Sequence, residues 1–167
     1  MVKGPAERIA NTASPEQTRA LGEAVARALP DGALVALFGD LGAGKTVFVQ
    51  GMARAAGVPP EIPVVSPTYT LIHEYPGQRT LIHVDLYRLA GGADLEEIGL
   101  YELMDGDALV AVEWAERLDP ADLGAHLSVR LKMTEDPVRE IALGAVGGGA
   151  GEWMDRIASA LKELAWL

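Results

Sequence analysis

Gly39-Asp40-Leu41-Gly42-Ala43-Gly44-Lys45-Thr46 is the stretch whose reading decides the fold. Gly39, Gly44, Lys45 and Thr46 stand at the spacing of a phosphate-binding P-loop. Ala33-Leu34-Val35-Ala36-Leu37-Phe38 precede it as an unbroken apolar run of strand length. Val47 to Ala56 follow with helix-forming residues and no proline. Strand, loop and helix are the order the motif requires.

Backbone N–H groups must wrap a polyphosphate closely, which Gly39, Gly42 and Gly44 permit because they lack Cβ and tolerate positive φ. Asp40, Leu41 and Ala43 complete the loop expected to contact the phosphates. The helix beginning near Lys45 aims its unsatisfied N–H groups and the positive end of its dipole at the same anion. Lys45 adds a mobile charge for the β- and γ-phosphates, and the Thr46 hydroxyl is placed to hold Mg²⁺.

The 167 residues suffice for one α/β domain with a proper core and are too few for two comfortable ones. The expected architecture is a single P-loop NTPase-like domain over residues 1–167, a mostly parallel sheet flanked by helices. Residues 1–13 are read as a flexible N-terminus. Hydrophobic residues at 49% and charged residues at 23% suit a folded globular chain and argue against disorder. With no cysteine, disulfides and thiolate metal sites are excluded. No signal-peptide core and no apolar run of membrane-spanning length is present, so a cytoplasmic location is expected. The net charge of -10 argues against direct, high-affinity nucleic-acid binding, which is carried by Lys and Arg neutralising phosphates. A role in RNA or DNA metabolism would pass through a protein partner.

Ser14-Pro15-Glu16-Gln17 combines a Ser N-cap, Pro at the first helical position and Gln three residues after the cap, predicting a helix to about Leu29. Three prolines between Pro59 and Pro63 predict a surface loop. Thr70 to Tyr75 and Leu81 to Leu86, separated by Pro76-Gly77-Gln78-Arg79, read as a hairpin. Leu95 to Met104 reads as acidic and partly helical, and Ala108 to Val112 as a buried parallel strand. Leu127 to Met133 and Val138 to Leu143 predict two more strands. Residues 144–151, with five glycines, read as a flexible connection to a C-terminal helix over Glu152 to Leu167.

Two apolar runs end in an acid, Leu81-Ile82-His83-Val84-Asp85 and Ala108-Leu109-Val110-Ala111-Val112-Glu113. In an open parallel sheet ligands sit outside the carboxyl ends of the strands, so Asp85 and Glu113 face the nucleotide. They are the candidates for the Walker-B role: one holds Mg²⁺, directly or through water, and the other orients or deprotonates the attacking water. Thr68, in Ser66-Pro67-Thr68, lies where related folds keep a switch segment and is a candidate for the metal or the γ-phosphate. His83 shares a strand face with Asp85 and reads as a packing or supporting residue; Trp114 reads as a neighbour of the site.

The single asparagine, Asn11, leaves no Asn-Lys-x-Asp element for guanine, and no glycine follows Asp85 at the spacing of a GTPase switch. ATP is therefore the expected nucleotide. No motif marks the adenine contact; residues around Ser14 to Thr18, Thr18 included, and around Arg130 are the candidates.

Four motifs in this order resemble the TsaE family: the P-loop at Gly39 to Thr46, Ser-Pro-Thr-Tyr-Thr-Leu-Ile at Ser66 to Ile72, His-Val-Asp-Leu-Tyr-Arg-Leu at His83 to Leu89, and Val-Glu-Trp at Val112 to Trp114. The resemblance covers about Ser14 to Trp114. It implies a bacterial P-loop ATPase needed for the threonylcarbamoyladenosine (t6A) modification of tRNA, which binds the TsaB and TsaD proteins and resets or activates that complex between rounds. It further implies that Lys45 and Thr46 bind phosphate and Mg²⁺, that Glu113 completes the metal site, that Asp85 is the acid near the attacking water, and that Thr68 belongs to the switch loop. Glu96 and Glu97 are candidates for the partner surface. Two rival readings are a small-molecule kinase, which needs an acceptor pocket and usually an arginine-bearing lid, and a non-enzymatic switch that uses ATP binding to change its affinity for partners.

Overall fold

The apolar run ahead of the P-loop becomes the middle strand of the sheet because both its faces are apolar and both find a layer to cover them. In the computed structural model, which describes residues 7–89 and 99–167, the strands are β1 (Arg8–Thr12), β2 (Leu34–Phe38), β3 (Ile72–Tyr75), β4 (Leu81–Asp85), β5 (Leu109–Glu113), β6 (His126–Glu135) and β7 (Val138–Val146). The helices are α1 (Pro15–Ala28), α2 (Lys45–Ala56), α3 (Leu100–Met104) and α4 (Ala150–Leu161). The seven strands lie in the order β1-β7-β6-β2-β5-β4-β3. β6, β2, β5 and β4 run parallel, while β3 and the β7–β1 pair add antiparallel margins. The expected α/β fold is thus present, with its parallel part confined to the four central strands.

Alternation along the strands sorts the core into two layers. Val35 and Leu37 of β2, with Leu81, Leu109, Leu127 and Ile141, pack under α1, α2 and α4. Leu34 and Ala36, with Ile82, Val84, Val110 and Val112, face Leu100 of α3 and the short turns after β5 that carry Ala115, Leu118 and Leu123. The same alternation puts His83 and Asp85 of β4 and Glu113 of β5 on the α2 side.

The helix signals act as read: the Ser14 hydroxyl accepts the Gln17 N–H at 3.2 Å, and the Gln17 side chain returns to the Ala13 N–H at 2.7 Å. Several sequence boundaries move. Arg8–Thr12 is a strand paired with Arg139–Leu143 of β7, so the stretch read as a flexible N-terminus contains an edge strand. β7 runs on to Val146, because Gly144 and Ala145 pair with Ser128 and Leu127, and α4 already begins at Ala150. The connection expected over 144–151 shrinks to Gly147–Gly149, since backbone pairing with a long partner strand outweighs glycine's poor strand propensity. α4 ends at Leu161, short of the expected Leu167, and Leu164 still packs against the core. Of the acidic stretch Leu95 to Met104, the described part is α3; Glu96 and Glu97 lie outside the described residues.

Candidate functional site

The register of the parallel strands assembles the site. Asp85 of β4 pairs with Glu113 of β5, and Glu113 with Leu37 of β2, one residue before the strand ends and two before the P-loop begins. Two carboxylates therefore stand side by side at the carboxyl ends of strands, against the start of α2. The P-loop connects β2 to α2 through Gly39 at φ 149° and Gly44 at φ 104°. A Cβ on Gly39 would sit 2.5 Å from the Leu131 carbonyl oxygen, so this position excludes every other residue on space as well as on conformation. Gly44 caps α2 without a side-chain hydrogen bond, which leaves the first-turn amides to a ligand.

Lys45 is buried, and its ammonium donates to the carbonyls of Gly39 at 2.5 Å and Asp40 at 3.0 Å. It also lies 4.1 Å from the centre of the Trp114 ring, a cation–π contact. Burial lowers the pKa of this amine below 10.5, opposed by the charges of Glu113, Glu116, Asp85 and Asp40. Trp114 takes a left-handed backbone, φ 59°, uncommon for a bulky residue, and its ring is tilted against Tyr87 at 5.0 Å.

The two acids are wired differently. Glu113 Oε1 accepts from the Thr46 hydroxyl at 2.8 Å and pairs with His83 Nε2 at 2.8 Å. Because a carboxylate only accepts, Nε2 carries the proton in this arrangement. Asp85 instead holds the loop ahead of β3: its Oδ2 accepts from the hydroxyls of Ser66 and, at 3.2 Å, of Thr68, while its Oδ1 accepts the Tyr87 N–H at 2.9 Å. Both carboxylates are nearly inaccessible, at 2% and 3% exposure. Such burial is tolerated only where partners compensate, and each acid has at least two.

These groups line one cleft of about 480 Å³, from the P-loop to Ser66, Thr68 and Tyr69. Among the described residues lining it, Lys45 is the one basic side chain. Lys45, Thr46, Asp85, Glu113 and Thr68 thus stand together, with Gly42, Gly44 and Leu41 at the same opening; Gly39, Asp40 and Ala43 face a neighbouring recess beside β6. Thr18 is brought beside the P-loop, but its buried hydroxyl is shared with Thr12 at 2.8 Å and donates to the Ser14 carbonyl at 3.3 Å. Its methyl faces Gly44 instead, about 3.9 Å from where a Cβ would be. Arg130 does not join the cleft; its guanidinium lies 4.5 Å over the Phe38 ring.

Three contributors, Ser66, Tyr87 and Arg139, carried no role of their own in the sequence, and His83 only that of a packing or supporting residue. Ser66 and the Tyr87 amide bind Asp85, His83 supports Glu113, and Arg139 of β7 donates to the P-loop carbonyls of Ala43 and Gly42. His83 was signalled by the strand face it shares with Asp85, and Ser66 and Tyr87 by standing within the motifs at Ser66 to Ile72 and His83 to Leu89; nothing along the chain marked Arg139.

Comparison with known proteins agrees with the geometry. Residues 12–141 match the family model described as threonylcarbamoyl adenosine biosynthesis protein TsaE. The chain is 39% identical over 130 residues to the tRNA threonylcarbamoyladenosine biosynthesis protein TsaE of Treponema pallidum, covering 78% of this chain and 95% of that one. It is 38% identical over 137 residues to the protein of the same name from Bacillus subtilis, covering 81% and 84%. The crystal structure of Bacillus subtilis YdiB superposes with a TM-score of 0.76 at 31% identity, covering 94% of this chain and 97% of that one. With the family model matched from β1 into β7 and the fold shared with a solved structure over 94% of its length, the chain belongs to the TsaE family of threonylcarbamoyl adenosine biosynthesis proteins.

Proposed function

We propose that the protein binds and hydrolyses ATP as a component of the tRNA t6A machinery, acting on a TsaB–TsaD complex to support repeated turnover. The observation that carries the reading is the Thr46–Glu113 contact at 2.8 Å, which sets a hydroxyl and a carboxylate together at the head of the P-loop helix. Those oxygens are the hard donors that Mg²⁺ prefers, and it commonly takes only one or two protein carboxylates and completes its shell with water and substrate phosphates. Mg²⁺ bound there supplies charge neutralisation for the β- and γ-phosphate oxygens.

The chain's own groups have separable tasks in this reading. The glycine-bent loop and the first turn of α2 hold the polyphosphate, and Lys45 exchanges its backbone carbonyl partners for phosphate oxygens. His83 keeps Glu113 turned toward Thr46. Asp85 is the acid for the attacking water, and its bonds to Ser66 and Thr68 make the switch loop sensitive to what occupies the cleft. TsaB and TsaD enter through the family alone; the acidic balance of the chain fits a division of labour in which partners hold the tRNA.

Lys45→Ala is expected to abolish nucleotide binding or turnover, measured by titration with MgATP and by phosphate release. Unchanged affinity and rate in that variant would remove the assignment. Because the cleft is lined by no arginine among the described residues, hydrolysis by the isolated protein should be slow, roughly 10⁻² s⁻¹ or below. Fast turnover indifferent to added TsaB and TsaD would contradict the partner-dependent cycle, and γ-phosphate recovered on an acceptor would indicate a kinase.

A further inference from the structure

Beyond Trp114 the sequence carries no motif, yet this part of the chain supplies a side chain to the phosphate loop. Arg139 sits on β7, paired with Thr12 on one side and Met133 on the other. Its Nε donates to the Ala43 carbonyl at 3.1 Å and its Nη2 to the Gly42 carbonyl at 3.3 Å. Nη1 donates to the Val138 carbonyl at 3.3 Å and stands 4.0 Å from the exposed Asp136 carboxylate. Only 16% of the Arg139 side chain is exposed, so the guanidinium is held in this orientation by packing as well as by its partners.

Lys45 takes the carbonyls of Gly39 and Asp40, so four loop carbonyls are held by two cations. The two cations differ in what a ligand asks of them. Lys45 lines the cleft and is needed by the phosphates, whereas Arg139 does not line it and instead borders a smaller adjoining recess with Ser14, Thr18, Gly42 and Gly44. In a trans peptide C=O and N–H point in opposite directions. Fixing the Ala43 carbonyl toward Arg139 therefore turns the Gly44 N–H away from it, and Gly44 does line the cleft. A glycine-rich loop loses much conformational freedom when it orders, and a loop ordered beforehand spares the ligand that cost. The planar fork of arginine suits two successive carbonyls, which a lysine ammonium cannot span in the same way.

Resting on the nucleotide-binding reading above, we infer that Arg139 is a positioning residue that braces the phosphate loop from behind, preorganising Gly42 to Gly44 for a polyphosphate it does not touch. The test uses the full chain, wild type beside Arg139→Lys and Arg139→Ala. MgADP is titrated by calorimetry, and amide hydrogen exchange of the loop, residues 39–46, is followed without nucleotide. Both variants should bind MgADP about tenfold or more weakly, the order set by one charged hydrogen bond. Both should also exchange loop amides faster than wild type.

Wild-type affinity and exchange in Arg139→Lys would overturn the brace, since charge alone would then suffice. Lowered thermal stability with unchanged MgADP affinity would overturn it too, by making Arg139 only an anchor of the β6–β7 hairpin. If Arg139→Ala does not fold, Arg139→Lys against wild type decides. Failure of the wild-type protein to bind MgADP would instead strike the nucleotide reading, while loop exchange in the nucleotide-free protein still reports on the brace.

Discussion

Glu113 accepts both its hydrogen bonds, from Thr46 and His83, on the single oxygen Oε1. This separates it from Asp85, whose two oxygens are engaged by the Ser66 and Thr68 hydroxyls of the loop ahead of β3 and by the Tyr87 amide. The strand pattern by itself presented the two acids as equivalent, each ending an apolar run, with only the family resemblance assigning them different roles; in the structure their difference arises from which elements close over them. Glu113→Gln keeps the size of the side chain and removes its charge. The Mg²⁺ concentration needed to support nucleotide binding is expected to rise about tenfold or more, while binding of ADP in the presence of a chelator changes little. Calorimetric titrations with and without Mg²⁺ check this; equal losses under both conditions would make Glu113 a structural support of Thr46 instead. Lys45, Thr46 and the glycines were legible because they lie together in sequence and obey a fixed spacing. The partners that Ser66, His83 and Arg139 take were not, because each acts on a residue between 19 and 97 positions away.

α1 and α2 meet through glycines. A Cβ on Gly22 of α1 would lie 2.2 Å from the Phe48 carbonyl oxygen of α2, and one on Gly51 of α2 would lie 2.0 Å from the Arg19 carbonyl oxygen of α1. Backbone cannot yield as a side-chain tip can, so each glycine lets the partner helix approach to where the other needs it. Gly51→Ala gains about 1 kcal/mol of intrinsic helix preference and meets overpacking of about 1 to 3 kcal/mol, and with a contact this short the overpacking is expected to win. The predicted outcome is a lowered urea midpoint. Since α2 carries Lys45 and Thr46 in its first turn, weaker nucleotide binding should accompany it. A midpoint equal to or above wild type would show that the helices separate without penalty. Neither glycine was marked in the sequence, because a helical glycine looks like a local weakness until its neighbour is known.

Across the whole molecule, α1 is also joined to α2 by charge: Arg54 of α2 reaches Glu16 at 2.7 Å, and Arg19 reaches the same carboxylate at 3.2 Å. Arg54 lowers the Glu16 pKa below 4.5, with Arg19 assisting. A carboxyl whose folded pKa lies below its unfolded one contributes stability fully above 4.5 and loses it as pH falls through the lowered value. Glu16 is 65% exposed in its side chain, so solvent screening holds this to roughly half a kcal/mol. Glu16→Gln should therefore be slightly less stable than wild type at pH 7, with the gap in urea midpoint closing toward pH 3. A gap that persists there would assign the effect to packing. What the sequence determined by itself was local: the phosphate loop between strand and helix, the Ser14 cap, the hairpin turn and the two acids at strand ends, because spacing along the chain is sufficient to specify turns, caps and short-period patterns. Tertiary structure alone decided the antiparallel margins, the close glycine seam between α1 and α2, the unlike partners of Asp85 and Glu113, and the reach of Arg139 to the loop. Those depend on which distant residues the sheet order brings within hydrogen-bond distance, about 3 Å, a relation that no pattern along the chain encodes.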